Sequence, residues 1–352
     1  MHTQAEEPVA PQFTPAEIPI RPDWLAQWHE PILDPGLPVI DAHHHLWDRP
    51  GQRYLLDELL ADTRGGHNVR ATVYVQCRSM LRAQGPMALR PVGETEFANG
   101  TAAQCASHLY GTLRACAGIV GYADLAGLGV EVRPVLEAHL QAAPLRFRGI
   151  RCMTAWHPDP GIAPNSGKVR PGLLADRRFR AGFAQLAPLG LSYDAWVFHT
   201  QLDEVLDLAR RFEDTSIVLD HAGGPLGIGP YAGRRNMALR EWRAAMAPLA
   251  ACANVSVKLG GLNMHVGGLA FHRQPCPPSS EALAQAWRPV IEPCIEMFGA
   301  GRCMFESNFS VDKGMAPYNA VWNAFKRLAS GASVDEKAML FAGTAARVYR
   351  LG

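Results

Sequence analysis

The chain has 352 residues, 48% of them hydrophobic and 19% charged, which is enough apolar content to bury a large core and too much for a disordered chain. Lys and Arg number 34 against 33 Asp and Glu, and the formal net charge of +1 offers no general attraction to nucleic acid or to an anionic membrane surface. No apolar run reaches the roughly 18 residues of a membrane span, no cationic and apolar leader opens the chain, and the 8 cysteines are scattered without a C-x-x-C pair; the expectation is a cytoplasmic protein with reduced, mostly buried thiols.

Residues 1–37, rich in Pro, Glu and Ala, read as an extended N-terminal arm with a short turn around Trp24 to Trp28. From residue 38 onward short apolar runs alternate with segments of helical period. The strand candidates are 38–45, 70–77, 116–124, 146–153, 191–199, 216–223, 254–261 and 302–309. Helical period marks 130–143, 176–189, 202–212, 236–253, 281–298, 319–330 and 334–349. This alternation predicts an α/β fold, a TIM-like (β/α)8 barrel forming one domain over 38–352, in preference to an open six-stranded sheet. No G-x-G-x-x-G follows an early strand, and neither a phosphate-binding loop nor a G-x-S-x-G nucleophile turn occurs; the Gly-rich stretch 221–230 reads as a loop.

In such a barrel the working groups stand at the C-terminal ends of the strands. The first strand ends in His43-His44-His45, and alternation of faces turns His43 and His45 the same way and His44 oppositely. The fifth strand ends at His199 and the sixth at Asp220-His221, so histidines from three strands converge on one mouth and point to a metal or a hydrolytic site.

On these residues the chain resembles the amidohydrolase superfamily, in the branch of 2-pyrone-4,6-dicarboxylate lactonase and the L-fucono- and L-rhamnono-lactonases. The resemblance covers about residues 38–350 and is carried by Ile40-Asp41-Ala42-His43-His44-His45-Leu46-Trp47-Asp48, Val75-Gln76, Gly93-Glu94-Thr95, Arg148-Gly149-Ile150-Arg151, His199, Asp220-His221-Ala222-Gly223, Val257-Lys258-Leu259 and Met304-Phe305-Glu306-Ser307-Asn308-Phe309. It implies a distorted barrel in which water attacks an ester or lactone carbonyl, with His43, His45 and His199 as ligands of a metal or of the substrate carbonyl and His221 as a further histidine. Family members show Gly-Ser-Asp on the last strand, the Asp activating water, whereas this chain reads Glu306-Ser307-Asn308. An amide takes up no proton at neutral pH. If the strand is regular, Glu306 shares the face of Asn308 one pleat deeper, which makes Glu306 the first candidate for the displaced base and Asp312 the second; the competing reading pairs Glu306 with a cation such as Lys258 or Arg151.

The fourth strand carries no lysine to bridge two metals, so the cofactor expectation is either none or one divalent ion, zinc being the best fit to imidazoles. Arg151, nearer its strand end than Arg148, and Lys258 suit a carboxylated or oxygen-rich substrate. Gln76 can hydrogen-bond a carbonyl, Trp47 and Trp196 can wall the mouth, and His157 lies in the loop after the fourth strand. The leading expectation is a lactone or cyclic-ester hydrolase acting on a small anionic or oxygen-rich molecule. Its alternatives are a metal-dependent decarboxylase or lyase and a binding subunit without catalysis. The resemblance also allows a homo-oligomer.

Overall fold

The computed structural model describes residues 18–162 and 169–352, so the start of the expected arm lies outside the described residues. Ten strands form among the described residues: β1 (Pro38–His44), β2 (Trp47–Arg49), β3 (Gln52–Tyr54), β4 (Asn68–Val75), β5 (Arg114–Gly121), β6 (Phe147–Met153), β7 (Ser192–Trp196), β8 (Ile217–Leu219), β9 (Val255–Leu259) and β10 (Cys303–Phe305). Eight of them pair in the order β1-β4-β5-β6-β7-β8-β9-β10, each parallel to its neighbour, while β2 and β3 form a separate antiparallel hairpin over the mouth side of β1.

The two ends of the sheet meet through residues past β10. His44 bridges to Phe309, His45 N donates to Phe309 O at 2.7 Å, and Asn308 N donates to His43 O at 3.0 Å. Closure removes the sheet edge, and because loop residues complete it the (β/α)8 barrel is distorted.

The barrel strands carry buried apolar residues on both faces, as parallel sheets covered by helices require. Ile40, Ala42, Val73, Val75, Val120, Val218 and Met304 form one buried cluster, into which the C-terminal Ala345 and Tyr349 insert. Tyr74, Ile119, Tyr193, Ile217, Leu219, Val257, Leu259 and Phe305 belong to the larger cluster shared with the helices.

Helix boundaries fall close to the periodic segments, for example Leu202–Arg211, Arg235–Ala250, Ser280–Phe298 and Tyr318–Leu328. The final segment 334–349 is instead broken into Val334–Ala338, a π turn at Met339–Gly343 and Thr344–Val348. Of the arm, Pro22–Leu25 forms a short helix, and residues 30–34 are tied to the body. Leu33 N donates to Asn323 Oδ1 at 2.9 Å and Lys326 Nζ donates to Leu33 O at 2.7 Å. All eight cysteines are unpaired thiols, five of them buried. No described helix is long and apolar enough to cross a membrane.

Candidate active site

The β1 end delivers its imidazoles as alternation requires. His43 and His45 turn into the mouth with their Nε2 atoms 3.1 Å apart, while His44 turns outward to Thr72 Oγ1 at 2.8 Å and to the edge of the Tyr74 ring. His45 Nδ1 donates to Val75 O at 2.7 Å, which leaves its Nε2 unprotonated and facing His43.

His43 is the hub of a buried ionic cluster. Its Nδ1 lies 2.9 Å from Glu306 Oε2, 3.1 Å from Lys258 Nζ and 3.5 Å from Asp220 Oδ1, and its Nε2 lies 3.2 Å from Arg151 Nη1. Lys258 Nζ is held by Asp194 at 2.6 Å and Asp220 at 3.0 Å, and Tyr349 OH donates to Asp194 Oδ2 at 2.7 Å. Arg151 also donates to Gln76 O and stands 3.6 Å from Asp220. Both cations are thus engaged inside the protein. Glu306 pairs with two imidazoles rather than with Lys258 or Arg151: besides His43, its Oε1 accepts from His221 Nδ1 at 2.6 Å and His221 N at 3.1 Å.

Two glycines make room for this pair. A Cβ on Gly261 would sit 2.2 Å from His221 Nδ1, and one on Gly260 would sit 2.2 Å from Glu306 O; Gly261 also has φ +62°. His221 itself adopts φ +54° in the turn Asp220–Gly223 that follows β8, a conformation rare for a residue with a Cβ. The turn aims the ring at Glu306 and against Trp196, whose ring centroid is 4.8 Å away.

Burial alone would push Glu306 up, but His221 and His43 outweigh it and bring the carboxyl down to about 2. Burial, reinforced by Lys258, lowers His43 to about 4, and burial holds His45 well below its ordinary value. Against its burial, Asp194 and Asp220 keep Lys258 raised and so protonated. Three carboxylates, Asp194, Asp220 and Glu306, therefore face the two cations Lys258 and Arg151 around His43.

Several groups expected at the mouth are also placed there. Trp47 stacks on His45 at 5.8 Å, and Trp47 Nε1, Gln76 Oε1 and Arg151 Nε are buried without hydrogen-bond partners. His199 departs from expectation. β7 ends at Trp196 and the chain enters a 3-10 turn, so His199 packs on the Tyr231 ring at 4.9 Å, accepts from Leu226 N at 3.3 Å and lies 3.8 Å from Glu241 Oε2, and its partners among the described residues include neither His43 nor His45. His157 sits on the same Tyr231 ring, at 5.9 Å. The regular pleat assumed beyond residue 305 is also absent. β10 stops at Phe305, Asn308 has φ +54°, and its side-chain amide donates to Asp312 Oδ1 at 2.8 Å. Asp194 and Tyr349 escaped the sequence reading. Asp194 stands in an otherwise apolar strand, where an interior charge requires a partner, and that was the available signal.

Among the described residues, His43, Asp220 and His221 bring ligand atoms within 4.8 Å of one another. His221 Nδ1 is bonded to Glu306, and His43 Nδ1 is crowded by Glu306, Lys258 and Asp220, which leaves the Nε2 pair of His43 and His45 as the imidazole donors that face each other, with Arg151 Nη1 3.2 Å from His43 Nε2. A spacing of 3.1 Å suits two ligands bound to one ion at roughly 2.0–2.1 Å each.

A closed parallel barrel with imidazoles, carboxylates and buried cations at its strand ends defines an enzyme of the (β/α)8 hydrolase class. The amidohydrolase family model matches residues 40–351, and the chain belongs to that family, in its lactonase branch. The uncharacterized protein y4mH of Sinorhizobium fredii is 34% identical over 336 residues, covering 89% of this chain and 98% of the relative. An L-fucono-1,5-lactonase of Burkholderia ambifaria is 30% identical over 245 residues, covering 67% and 71%. A crystal structure of an amidohydrolase from Burkholderia multivorans with bound zinc superimposes with a TM-score of 0.66 at 28% identity, covering 89% of this chain and 99% of that one.

Proposed function

We propose that this enzyme hydrolyses a small, oxygen-rich lactone, with His221 as the general base and Glu306 as the anion that orients it. The observation that carries the reading is the 2.6 Å bond from His221 Nδ1 to Glu306 Oε1. In the neutral ring it fixes the tautomer with the proton on Nδ1 and the lone pair on Nε2. A carboxyl brought down to about 2 is a weak proton acceptor at neutral pH but a strong stabiliser of an imidazolium beside it. The base that family members carry as Asp on the last strand is thereby replaced by an imidazole backed by Glu306.

In the forward step His221 Nε2 takes a proton from water as the water oxygen bonds to the lactone carbonyl carbon. Charge develops on the carbonyl oxygen, where Arg151 can stabilise it. The ring C–O bond then breaks and His221 returns the proton to the leaving alkoxide, giving the hydroxy acid. Trp47 and Trp196 wall the site and exclude bulk water. His43 and His45 are the residues that would hold a divalent ion, zinc by donor type. Such an ion, when bound, polarises a carbonyl and lowers the pKa of water.

The test is a panel of sugar-derived and carboxylated lactones followed by a pH indicator, with carbon dioxide release from aromatic acids measured alongside. Ring opening that is lost in His221→Asn supports the reading. Carbon dioxide release without ring opening replaces it with a decarboxylase, and binding without turnover replaces it with a non-catalytic role.

A further inference from the structure

Two residues beyond Glu306, and two beyond the glycine that makes room for His221, the chain places another polar group. Asn263 follows Gly261, whose Cβ position abuts His221, and Asn308 follows Glu306. One carboxylate braces both: Asn308 Nδ2 donates to Asp312 Oδ1 at 2.8 Å, and Asn263 N donates to Asp312 Oδ2 at 3.0 Å. Asn263 and Asn308 are each 1% exposed and Ser310 is 2% exposed. Yet Asn263 Nδ2 and Oδ1, Asn308 Oδ1 and Ser310 Oγ all lack hydrogen-bond partners. Buried polar atoms are almost always paired. This group around one carboxylate therefore marks a place where a ligand completes the hydrogen bonding.

The chemistry of the group selects the ligand. Asp312 fixes the Asn308 amide, because only the nitrogen side can donate to it, and so Asn308 Oδ1 presents an acceptor. Asn263 offers one donor side and one acceptor side whichever way its amide is turned, and Ser310 can do either. A ligand carboxylate would meet the lone pairs of Asn308 Oδ1, whereas a hydroxyl can donate to that oxygen and accept from the Asn263 amide or Ser310. A hydroxyl, which donates and accepts at once, satisfies both asparagines.

We propose that Asn263, Asn308 and Ser310, braced by Asp312, form a hydroxyl-reading subsite beside His221, so that the ring edge presented there carries a free hydroxyl and not a carboxylate. Asn308 is then a specificity residue standing where family members carry their base. The proposal rests on the lactone-hydrolase reading for the ring form of the ligand, and it assigns a polyhydroxylated lactone in preference to a carboxylated one.

Aldonolactams, the ring-nitrogen analogues of sugar lactones, serve as binding probes by calorimetry on the full chain, each compared with its monodeoxy counterparts. A site that bonds a hydroxyl disfavours the analogue lacking it, because its buried polar atoms are left unpaired. We expect wild type to prefer a polyhydroxylated lactam over one of its monodeoxy forms by about tenfold or more. In Asn263→Ala and in Asn308→Ala that preference should fall toward unity. Since the readout is a ratio of dissociation constants, partial misfolding of a variant lowers the number of sites and leaves the ratio interpretable. Equal binding of the two lactams by wild type, no binding of either, or an undiminished preference in both variants overturns the subsite. Lactone turnover with no hydroxyl preference removes the subsite alone, whereas hydroxyl-selective lactam binding with no lactone turnover removes the hydrolase reading alone.

Discussion

Replacing Glu306 by Gln keeps the shape of the side chain and removes one charge and one acceptor. The carboxylate accepts two bonds, from His221 Nδ1 at 2.6 Å and His221 N at 3.1 Å, and its Oε2 lies 2.9 Å from His43 Nδ1. Glutamine has one acceptor oxygen. If that oxygen stays on His221, the new amide NH2 confronts His43 Nδ1; if it turns to His43, His221 loses the anion and the tautomer that exposes its Nε2. Each lost charge-assisted bond is worth about 1.5–3 kcal/mol, and the imidazolium formed during the reaction loses its counter-charge as well. The expected fall in kcat is about 10²- to 10⁴-fold, or roughly 3–5 kcal/mol of barrel-mouth stabilisation of the transition state. KM should change far less, because the interaction strengthens only as His221 gains its proton. Steady-state lactone hydrolysis at neutral and mildly alkaline pH measures both constants, and near-ultraviolet circular dichroism checks the fold. A well-folded variant whose kcat stays within a factor of a few of wild type would refute the assignment of Glu306 as the orienting anion.

Three further outcomes follow from the same geometry. Gly261→Ala puts a Cβ 2.2 Å from His221 Nδ1 at a φ of +62°, so it should displace the ring and reduce kcat much as loss of the base does; wild-type kinetics in a crystallographically unchanged site would contradict this. Lys258→Met strands Asp194 and Asp220 without their common cation, and a loss of about 3–5 kcal/mol is expected from denaturant unfolding, against the near-neutral result of an exposed pair. Acid should destabilise the fold between pH 6 and 4. Burial lowers His43, His67 and His139 to about 4, His44 to about 3 and His45 well below its ordinary value, so these imidazoles gain protons on unfolding. Burial also raises Asp41 and Asp194 to about 6 and Asp312 to about 7, and these carboxyls release protons on unfolding over the same range. Burial also lowers His157, His199 and His272 and raises Asp62, Glu94 and Glu204, so eight imidazoles face six carboxyls, unfolding takes up protons on balance, and stability falls as the pH falls through this range. A melting temperature that rises on acidification across that window would contradict this balance.

The barrel was legible because parallel strands covered on both faces write themselves as short apolar runs, and all eight barrel strands lie within or beside the segments read from that pattern. His43 and His45 were legible for the same reason, since alternation within a true strand fixes which side chains share a face. Prediction failed where the strands stopped early. β7 ends three residues before His199 and β10 one residue before Glu306, so face arguments extended to His199 and Asn308 had no pleat to stand on. The left-handed backbone at His221 and Asn308 leaves no apolar pattern in the sequence, and the roles of Gly260 and Gly261 depend on side chains that arrive from other strands. Lys258 was read as a substrate contact or an ion pair, and its position between Asp194 and Asp220 shows the pairing.

The central claim is most directly tested by hydrolysing a polyhydroxylated lactone in water enriched in heavy oxygen and analysing the product by mass spectrometry, for wild type beside His221→Asn. The account predicts a ring-opened hydroxy acid with one heavy oxygen in its new carboxylate at a wild-type rate far above background, and near-background conversion by the variant. No ring opening by wild type, or equal rates for the two proteins, would contradict it.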